Sequence, residues 1–403
     1  MSFSILLINI TLVVLIIYGL LLIVYSRLWQ GMQPVRLAPD GEGNRLLNAR
    51  MNTDIRSRKK PAISFSVIIP ARNEQDSIQG CIESIVNGTY DKALYEVIVV
   101  DDFSTDKTGE ILRSLQSKYP DLIKVIDLSV VLDSRPINAY KKKALALAIE
   151  ASGGNWILTT DADCILPPRW LEYYNSYILD TGKRFVAAPV RFIDTGSFVS
   201  KFQCLDFLSL QGVTGAAVGA GLMSMCNGAN LGYEKDFYRQ VNGFEGIDQL
   251  ASGDDMFLMQ KMQDHAPGSA GYLFAEGAIV DTLPMPDWRS FINQRIRWAS
   301  KAGAYKDWKI KLVLLIVYLL NLSLVVLFFL GLFTPIIFLK WLILLVAKYL
   351  LEFYFMWRVA GFFKQRSLMG WFLIMQPLHL VYTVVAGWLG LFGKYQWKGR
   401  QVK

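Results

Sequence analysis

The amino-acid sequence predicts an α/β domain with a mostly parallel sheet, joined to one N-terminal and about three C-terminal transmembrane helices. Apolar residues form 53% of the chain and the mean hydropathy is +0.30, with the excess at the N-terminus and in the C-terminal quarter. Between these parts, short apolar runs alternate with helical stretches, which is the pattern of a parallel sheet covered by helices on both faces. Acidic pairs follow two of the predicted strands, at the edge where α/β sheets bind ligands.

The first element is a membrane anchor over residues 1–27. Residues 4–26 carry no charge, and about 20 apolar residues suffice to span a bilayer as a helix. A cleaved signal peptide fits less well, because no basic segment precedes the apolar run and no small-residue cleavage site follows it. Residues 28–62 are predicted to form a linker, and its Arg and Lys residues favour a cytoplasmic position for the next domain. The expected location is the bacterial inner membrane.

The second element is a soluble domain over residues 63–286. Its predicted elements are strand Phe65–Pro70, helix Gln75–Asn87, strand Tyr95–Val100, a helix from Thr108, strand Leu122–Ile126, helix Lys141–Ala151 and strand Trp156–Thr159. No GxGxxG follows the first strand, so a dinucleotide-binding fingerprint is missing.

Residues 287–310 are predicted to form an amphipathic helix at the membrane interface. Phe291, Ile296, Trp298 and Ala299 would form its apolar side and the arginines its polar side. A plain interfacial anchor, with Trp at the headgroups and Arg toward lipid phosphates, is the alternative to a role in chemistry.

The last element, residues 311–403, holds the C-terminal membrane helices and a basic tail. Leu312–Leu339 is long enough for one helix and the start of a second, with a break at Thr334-Pro335, and Trp371–Gly393 would form a third. One helix in front and three behind would leave the basic tail outside. Either one stretch is therefore re-entrant, or the tail departs from the positive-inside tendency.

The second of these C-terminal helices, which would run to about Trp357, carries two charges inside its apolar stretch. Lys348 and Glu352 lie four residues apart, and so on one face of the helix. We expect them to face other helices and neutralise each other.

Composition narrows the function classes. The net charge is +8, but Lys and Arg cluster beside the apolar segments and no zinc-finger or RNA-binding signature is present, so nucleic acid is not an expected partner. The four cysteines are scattered, which indicates no disulfide framework. Only His265 and His379 are histidines, which excludes a multi-histidine metal centre.

Asp161 and Asp163 follow the fourth predicted strand and form the main candidate site. Two carboxylates at positions i and i+2 of a strand end can hold a hard cation such as Mg²⁺ or Mn²⁺, which takes oxygen ligands and bridges substrate phosphates. The same Asp-X-Asp pattern also occurs in solvated turns, so its position after the strand carries the argument.

Further polar groups follow the first two strands. Asp101 and Asp102 can accept hydrogen bonds from a base or a ribose, although Ser104 or Asp106 could also simply cap the next helix. Arg72, after the first strand, would lie near the same edge of the sheet, where it could contribute to the site. The alternative is that its segment is an ordinary connecting loop.

A third acidic pair, Asp254 and Asp255, comes just before a helix predicted from Met256. One of these carboxylates could act as the general base for an acceptor hydroxyl. Acidic residues are also favoured at helix N-termini, so capping explains the pair adequately.

In order along the chain, the polar segments read PARNE, VDDFSTD, KKKAL, DAD, GAN, GDD and QRIRW. Together they resemble glycosyltransferase family 2, in particular its membrane branch with cellulose, chitin and hyaluronan synthases and glucosylceramide synthase. The resemblance covers about residues 64–300 and the membrane segments behind them. It implies the Rossmann-like glycosyltransferase-A fold.

The resemblance also implies a hexosyltransferase that uses a nucleotide-sugar donor, with UDP the usual carrier, in an inverting single displacement. The implied catalytic residues are Asp255 as the base and Arg297 beside the leaving diphosphate. A Mg²⁺ or Mn²⁺ ion is implied at Asp161 and Asp163. The implied substrate contacts come from Arg72, Glu74, Asp101, Asp102, Lys141, Asp161, Asp254, Gln294 and Trp298.

The expected acceptor is a lipid-linked molecule or a glycan at the bilayer. The close alternative is a processive polysaccharide synthase. Met256 argues against this alternative, because it stands where processive synthases often have Arg, whereas the intact QRIRW motif supports it. Its export channel would be lined by residues such as Asn321, Ser323, Gln376, His379 and Tyr382. A membrane transporter or scaffold is the remote alternative, since the ordered acidic motifs lie in the large soluble part.

Overall fold

A computed structural model describes residues 2–37, 62–131, 140–248, 253–301, 303–392, 395–397 and 400–402. Residues 38–61, which form most of the predicted linker, and the tail residues Lys394, Lys398 and Lys403 lie outside this part of the chain. The first helix, α1 (Ser2–Gly31), contains residues 2–27 of the predicted anchor and continues four residues beyond them.

In the part of the chain that the structure describes, the soluble domain has nine strands and the helices between them. The strands are β1 (Phe65–Ala71), β2 (Tyr95–Asp101), β3 (Ile123–Asp127), β4 (Trp156–Thr159), β5 (Phe185–Ala187), β6 (Val190–Phe192), β7 (Leu231–Glu234), β8 (Ala270–Tyr272) and β9 (Val280–Thr282). The helices are α2 (Ile78–Val86), α3 (Thr108–Lys118), α4 (Leu128–Val131), α5 (Tyr140–Ala151), α6 (Trp170–Thr181), α7 (Phe198–Gly219), α8 (Lys235–Gln240), α9 (Asp254–His265) and α10 (Trp288–Ala299).

Seven strands form the main sheet in the order β3-β2-β1-β4-β7-β5-β8. Only β7 runs against the others, which confirms the prediction of a mostly parallel sheet. Its first strands are buried on both faces and are therefore almost continuously apolar. Strands β6 and β9 form a separate parallel pair, and Tyr395–Trp397 and Arg400–Val402 form a short antiparallel pair near the C-terminus.

The predicted strands agree with the observed ones to within one residue at each end. Helix α2 begins at Ile78, three residues later than predicted. The residues before it form a tighter turn, in which Ser77 N donates to Glu74 O, three residues earlier, at 3.1 Å.

Three long helices follow α10, namely α11 (Trp308–Gly331), α12 (Pro335–Phe362) and α13 (Phe372–Phe392). Among the described residues, three helical segments are long and apolar enough to cross a membrane: Phe3–Gly31, Trp308–Gly331 and Arg366–Gly390.

Helix α12 carries the predicted pair of buried charges. Lys348 Nζ lies 2.7 Å from Glu352 Oε1, and the two side chains are 1% and 9% exposed. Tyr18 of α1 donates to the same carboxylate at 2.6 Å. The pair therefore faces a neighbouring helix, as expected, and α1, α11 and α12 pack against one another.

Helix α13 runs alongside α10. Gly390 meets Ala299, where an added Cβ would lie 2.4 Å from the alanine Cβ, and the Tyr382 ring lies 5.2 Å from that of Phe291. One membrane-type helix is thus in direct contact with the QRIRW segment.

Candidate active site

The loops that follow β1 and β2 are interlocked at the carboxyl edge of the sheet. Asn73 N donates to Ser104 Oγ at 3.0 Å, and Asn73 Oδ1 accepts from Thr105 N at 2.8 Å. Arg72 crosses between the loops, with its Nη1 2.6 Å from the carbonyl oxygen of Asp102. These bonds hold both polar loops at the edge where the sequence predicts them.

The two acidic residues at the end of β2 are almost inaccessible. Asp101 and Asp102 are 6% and 3% exposed. Asp101 Oδ1 accepts from Ser104 N at 3.0 Å, and a Cβ at Gly109 would lie 3.2 Å from Asp101 Oδ2. The Asp101 carboxylate is therefore tied to its own loop and to the start of α3.

Two other polar groups of these loops have local partners. Glu74 Oε2 accepts from Ser77 Oγ at 2.9 Å, next to the start of α2. Asp106 Oδ1 accepts from Thr108 N at 3.0 Å, at the start of α3. Asp106 thus satisfies the first amide of α3, which is the structural role that the sequence allowed for it.

Three of the predicted residues meet at the edge of the sheet. Lys141 Nζ, from α5, lies 2.8 Å from Asp161 Oδ1 after β4 and 3.7 Å from Asp254 Oδ2 at the start of α9. Burial disfavours the charged amine, but the carboxylates of Asp161 and Asp254 outweigh it and raise the pKa of Lys141 well above its usual range. Lys141 is therefore a permanent cation shared between two acidic motifs.

Asp255 lies beside this group and is oriented by backbone amides. Its Oδ2 accepts from Gly228 N at 3.1 Å, and its Oδ1 accepts from Met256 N at 2.8 Å. An added Cβ at Gly228 would lie 3.5, 3.8 and 3.9 Å from polar atoms of Lys141, Asp254 and Asp255. Gly228 thus lies among the three charged residues, although no role in the site was predicted for its GAN motif.

The helix that carries the Gly-Asp-Asp acids begins two residues earlier than predicted. Helix α9 begins at Asp254 rather than Met256, because Gly253 precedes it with a φ of 81° in the left-handed region. A Cβ at Gly253 would also lie 2.5 Å from the ring of Phe257. Both acids are consequently in the first turn, where the helix dipole favours them.

Asp161 and Asp163 supply an open pair of carboxylates. Two buried thiols donate hydrogen bonds to their loop. Cys81 Sγ donates to Asp161 O at 3.5 Å, and Cys164 Sγ donates to Asp163 Oδ1 at 3.7 Å. Burial raises the pKa of both cysteines, so they remain protonated donors.

The donor set fits a hard divalent cation that shares its ligands with a substrate. Asp161 and Asp163 are partly exposed, and within the described residues no group of three His, Cys, Asp or Glu side chains closes around a metal. Mg²⁺ and similar ions are commonly held in this way, by one or two carboxylates together with substrate phosphates. The carboxylates of Asp254 and Asp255 nearby add to a negative charge that Lys141 offsets only in part.

The prediction that the arginines of α10 form its polar side is wrong for Arg295. Phe291 and Arg295 are its buried residues, because positions four apart lie on one face of a helix, whereas Ile296 is only partly buried. Arg295 Nε and Nη2 lie 2.9 and 2.6 Å from Asp206 Oδ2 of α7. The buried arginine is tolerated because a carboxylate faces it.

The other QRIRW residues are partly exposed and are arranged around Arg295. Gln294 Oε1 accepts from Arg295 Nη1 at 2.9 Å, and the Arg295 guanidinium lies 4.1 Å from the Trp298 ring. Arg297 is partly exposed on another side of the helix.

The chain after α10 reaches the Gly-Asp-Asp helix. Tyr305 is buried, its hydroxyl lies 3.6 Å from Met256 Sδ, and its ring lies 5.9 Å from that of Phe257. Burial and the nearby Asp255 carboxylate raise the pKa of Tyr305. The segment between α10 and α11 therefore contacts the helix that carries Asp254 and Asp255.

Asn230 fixes the GAN loop and is a residue that sequence reasoning gave no role. It is fully buried, and its Oδ1 accepts from Trp170 Nε1 and Tyr174 Oη at 2.9 Å each. Its Nδ2 donates to the carbonyl oxygens of Pro189 and Ala278. The signal available in the sequence was a polar residue at the start of an apolar strand.

This sheet, with its carboxylates and a lysine at one edge and helices of membrane type behind it, defines a membrane-associated glycosyltransferase of the glycosyltransferase-A type. The family description "Glycosyl transferase family 2" matches residues 66–241, and "Glycosyl transferase family group 2" matches residues 156–389, which is more than half of the chain. The chain belongs to glycosyltransferase family 2.

Individual relatives agree with this assignment. The chain is 30% identical to glycosyltransferase AglE of Haloferax volcanii over 51% of its own length and 62% of that protein. It is 27% identical to the probable glycosyltransferase YdaM of Bacillus subtilis over 60% of its own length and 56% of that protein. The matches thus span less than two thirds of these two relatives.

A solved structure has the same fold. The mannosyltransferase PcManGT from Pyrobaculum calidifontis, in complex with GDP-Man and Mn²⁺, gives a TM-score of 0.57 at 17% identity. The similarity covers 97% of this chain and 98% of that one. It therefore includes the membrane-type helices as well as the sheet.

Proposed function

We propose that this glycosyltransferase moves a sugar from a nucleotide-sugar donor to a membrane-associated lipid or glycan acceptor, with inversion at the anomeric carbon. The observation that carries the proposal is the position of Asp255. Backbone amides orient its carboxylate beside Lys141 and Asp254. The chain that leads to the membrane helices packs against the next residue, Met256.

The donor would lie along the carboxyl edge of β1, β2 and β4. Asp102 and the loop held by Arg72 and Glu74 would contact the nucleoside, with Asp101 holding the loop in place. UDP is the expected carrier, as in most of the family. Lys141 would approach the diphosphate, where its permanent charge is favourable.

Asp161 and Asp163 would hold Mg²⁺ or Mn²⁺ together with the diphosphate oxygens. When bound, the ion would offset the negative charge that builds up on the departing diphosphate. The Mn²⁺ in the similar mannosyltransferase complex supports this proposal.

The chemical step needs one base. Asp255 would take the proton of an acceptor hydroxyl while that oxygen bonds to the anomeric carbon and the bond to the nucleoside diphosphate breaks. Arg297 would stabilise the leaving diphosphate, and Gln294 and Trp298 would contact the acceptor side. Because the displacement is single, the anomeric configuration inverts and no covalent enzyme intermediate forms.

A processive polysaccharide synthase is the second candidate. The burial of its predicted channel residues counts against an open channel: Asn321 and Ser323 are almost inaccessible and donate to backbone carbonyl oxygens of their own helix. In either case we propose that the catalytic domain is cytoplasmic, at the bacterial inner membrane, because basic residues follow the first helix.

The test is nucleoside diphosphate release by the purified full-length protein in lipid nanodiscs. A panel of UDP- and GDP-sugars would be supplied with Mn²⁺, Mg²⁺ or EDTA and with a membrane lipid extract as the source of acceptor hydroxyls, and product anomers would be assigned by NMR. We expect release from one donor, loss of release with EDTA and an inverted product. Release from no donor, or a retained configuration, would contradict the proposal.

A further inference from the structure

A buried cluster joins the QRIRW helix to the membrane-type helix α13. Its centre is Asp206 of α7, which is 4% exposed. Arg295 contacts Asp206 Oδ2, while Tyr382 Oη and His379 Nε2 of α13 lie 3.1 and 3.5 Å from Asp206 Oδ1. One carboxylate thus binds side chains from two other helices.

Arg295 also contacts two other residues of QRIRW, Gln294 directly before it and Trp298 three positions after it. It donates to Gln294 at 2.9 Å and stacks 4.1 Å from the Trp298 ring. A guanidinium forms such a fork of directed bonds and can at the same time lie against an aromatic face. The orientation of Gln294 and Trp298 consequently depends on where Asp206 holds Arg295.

Helix α13 also packs closely along the whole of this segment. Tyr382 lies against Phe202 and Phe291, with ring centres 5.7 and 5.2 Å apart. At the other end, Gly390 allows α13 to contact Ala299, the residue that follows Trp298. A shift of α13 would therefore move both the cluster and the end of α10.

We propose that Arg295, Tyr382 and His379 are positioning residues. Through their contacts with Asp206 they fix the orientation of Gln294 and Trp298 for sugar transfer, so that α13 is part of the catalytic apparatus. The inference rests on the proposed function, because it assigns a task to the QRIRW residues. None of the three residues is proposed to contact the donor. They act through the geometry of the residues that do, where a displacement of about 1 Å can cost about 100-fold in rate.

The test is turnover per binding-competent molecule in nanodiscs, with the donor found in the panel. Binding-competent molecules are counted from the stoichiometry of radiolabelled nucleoside diphosphate at saturation. A purely structural defect would lower this count but leave the turnover of each counted molecule unchanged. We expect Tyr382→Phe to lower turnover per site about 10-fold and Arg295→Lys about 100-fold.

The matched control is Tyr354→Phe. Tyr354 lies on the long C-terminal helix α12, and its hydroxyl is bonded to Arg358 at 3.0 Å, but it is 52% exposed and outside the cluster. We expect its turnover per site to stay within about twofold of the wild type.

A double-mutant cycle tests the route through the tryptophan. If Arg295 acts through Trp298, the loss in Arg295→Lys/Trp298→Phe will be smaller than the product of the two single losses. A multiplicative loss would overturn this step, and unchanged turnover per site in both Tyr382→Phe and Arg295→Lys would overturn the whole inference. A wild-type protein that releases no diphosphate from any donor would instead overturn the proposed function, and the inference with it.

Discussion

Two carboxylate and cation pairs in this protein use similar side chains in opposite surroundings. At the sheet edge, Lys141 and Asp161 are 24% and 38% exposed, whereas Arg295 and Asp206, at the junction with the membrane-type helices, are 3% and 4% exposed. A partly exposed pair can be opened by water, a cation or a substrate at little cost. A buried pair cannot, because each charge would be left without a partner in a medium of low polarity.

The difference teaches which group binds ligands and which holds the structure. Lys141 pairs with both Asp161 and Asp254, and these two carboxylates lie at the partly exposed edge of the sheet. Asp206 has its two oxygens already filled by Arg295, Tyr382 and His379. We therefore expect substitutions at the edge to remove activity and leave folding intact, and substitutions at the junction to affect both.

The largest effect is expected at the edge, from Asp255→Asn. The amide has nearly the shape of the carboxylate but cannot take the acceptor proton, so transfer should fall about 10²- to 10⁴-fold. One of the two bonds from Gly228 N and Met256 N is lost, because the amide nitrogen cannot accept it, so the free energy of unfolding should fall by about 0.5–1.5 kcal/mol while nucleotide binding stays close to that of the wild type. Asp264→Asn, at the exposed far end of the same helix, is the control, and transfer by Asp255→Asn at the wild-type rate would remove Asp255 as the base.

At the junction, Arg295→Ala should reduce the free energy of unfolding by about 3–5 kcal/mol, because it leaves Asp206 buried without its cation. The control is Arg239→Ala, whose partner Asp236 is 3.6 Å away in a pair that is 52% and 75% exposed. That surface pair should contribute less than about 1 kcal/mol. Equal losses in the two variants, measured by denaturant unfolding in detergent, would abolish the contrast between the regions.

The next effect concerns the proposed cation. Asp163→Ala removes one of its two carboxylates, so Mn²⁺-dependent binding of the nucleoside diphosphate should weaken about 10- to 100-fold, while the binding that persists in EDTA stays unchanged. Isothermal titration with and without Mn²⁺ measures both terms. An unaltered response to Mn²⁺ would take Asp163 out of the proposed site.

A smaller effect is expected at the start of α9, where lack of space for a side chain and an unfavourable backbone conformation can be told apart. Gly253→Ala should cost about 1–3 kcal/mol and lower transfer, because its φ is 81° and the new methyl would lie 2.5 Å from Phe257. Gly268→Ala is the matched control, with a φ of 82° and no atom within 4 Å of the new methyl. If both variants lose the same stability and activity, the close packing against Phe257 is not what positions Asp254 and Asp255.

The smallest effect is a pH dependence of the buried pair. Burial would raise the pKa of Asp206, but Arg295 outweighs it and holds that pKa below its usual value. The lowered pKa means that the pair stabilises the fold fully above the ordinary Asp pKa of about 3.9, and that this stability is lost as the pH falls through the lower folded value. The stability difference between Asp206 and Asp206→Asn should be flat from about pH 7 to 5 and shrink below about pH 4.

This comparison is best made in a His379→Gln background, because His379 is 3.5 Å from the same carboxylate. A difference that already declines between pH 7 and 5 would contradict the expected direction for Asp206.

Much of the fold followed from local patterns in the sequence. Strands β1 to β4 are short apolar runs between polar loops, and their positions were predicted to within one residue at each end. The loops at their carboxyl ends carry Arg72, Asp101 and Asp161, which lie together because neighbouring parallel strands end at the same edge. The pairing of Lys348 with Glu352 was also predictable, since a separation of four residues places them on one helical face.

The face of α10 and the partners of its arginines were not predictable in this way. The apolar pattern alone assigned Arg295 to the polar side, yet Asp206, 89 residues earlier in the chain, allows it to be buried. Gly228 and Asn230 were likewise visible only as part of a motif, because their roles depend on neighbours from distant segments.

The sequence by itself determined the strands and the polar loops at their ends, because hydrophobic period and turn residues are local properties, and the order of its polar motifs indicated the class of protein through their resemblance to glycosyltransferase family 2. Only the tertiary structure decided that Lys141 links two acidic motifs and that α13 reaches Arg295 through Asp206. These contacts join residues far apart in the chain, and the burial of a charge depends on which partner the folded packing brings to it.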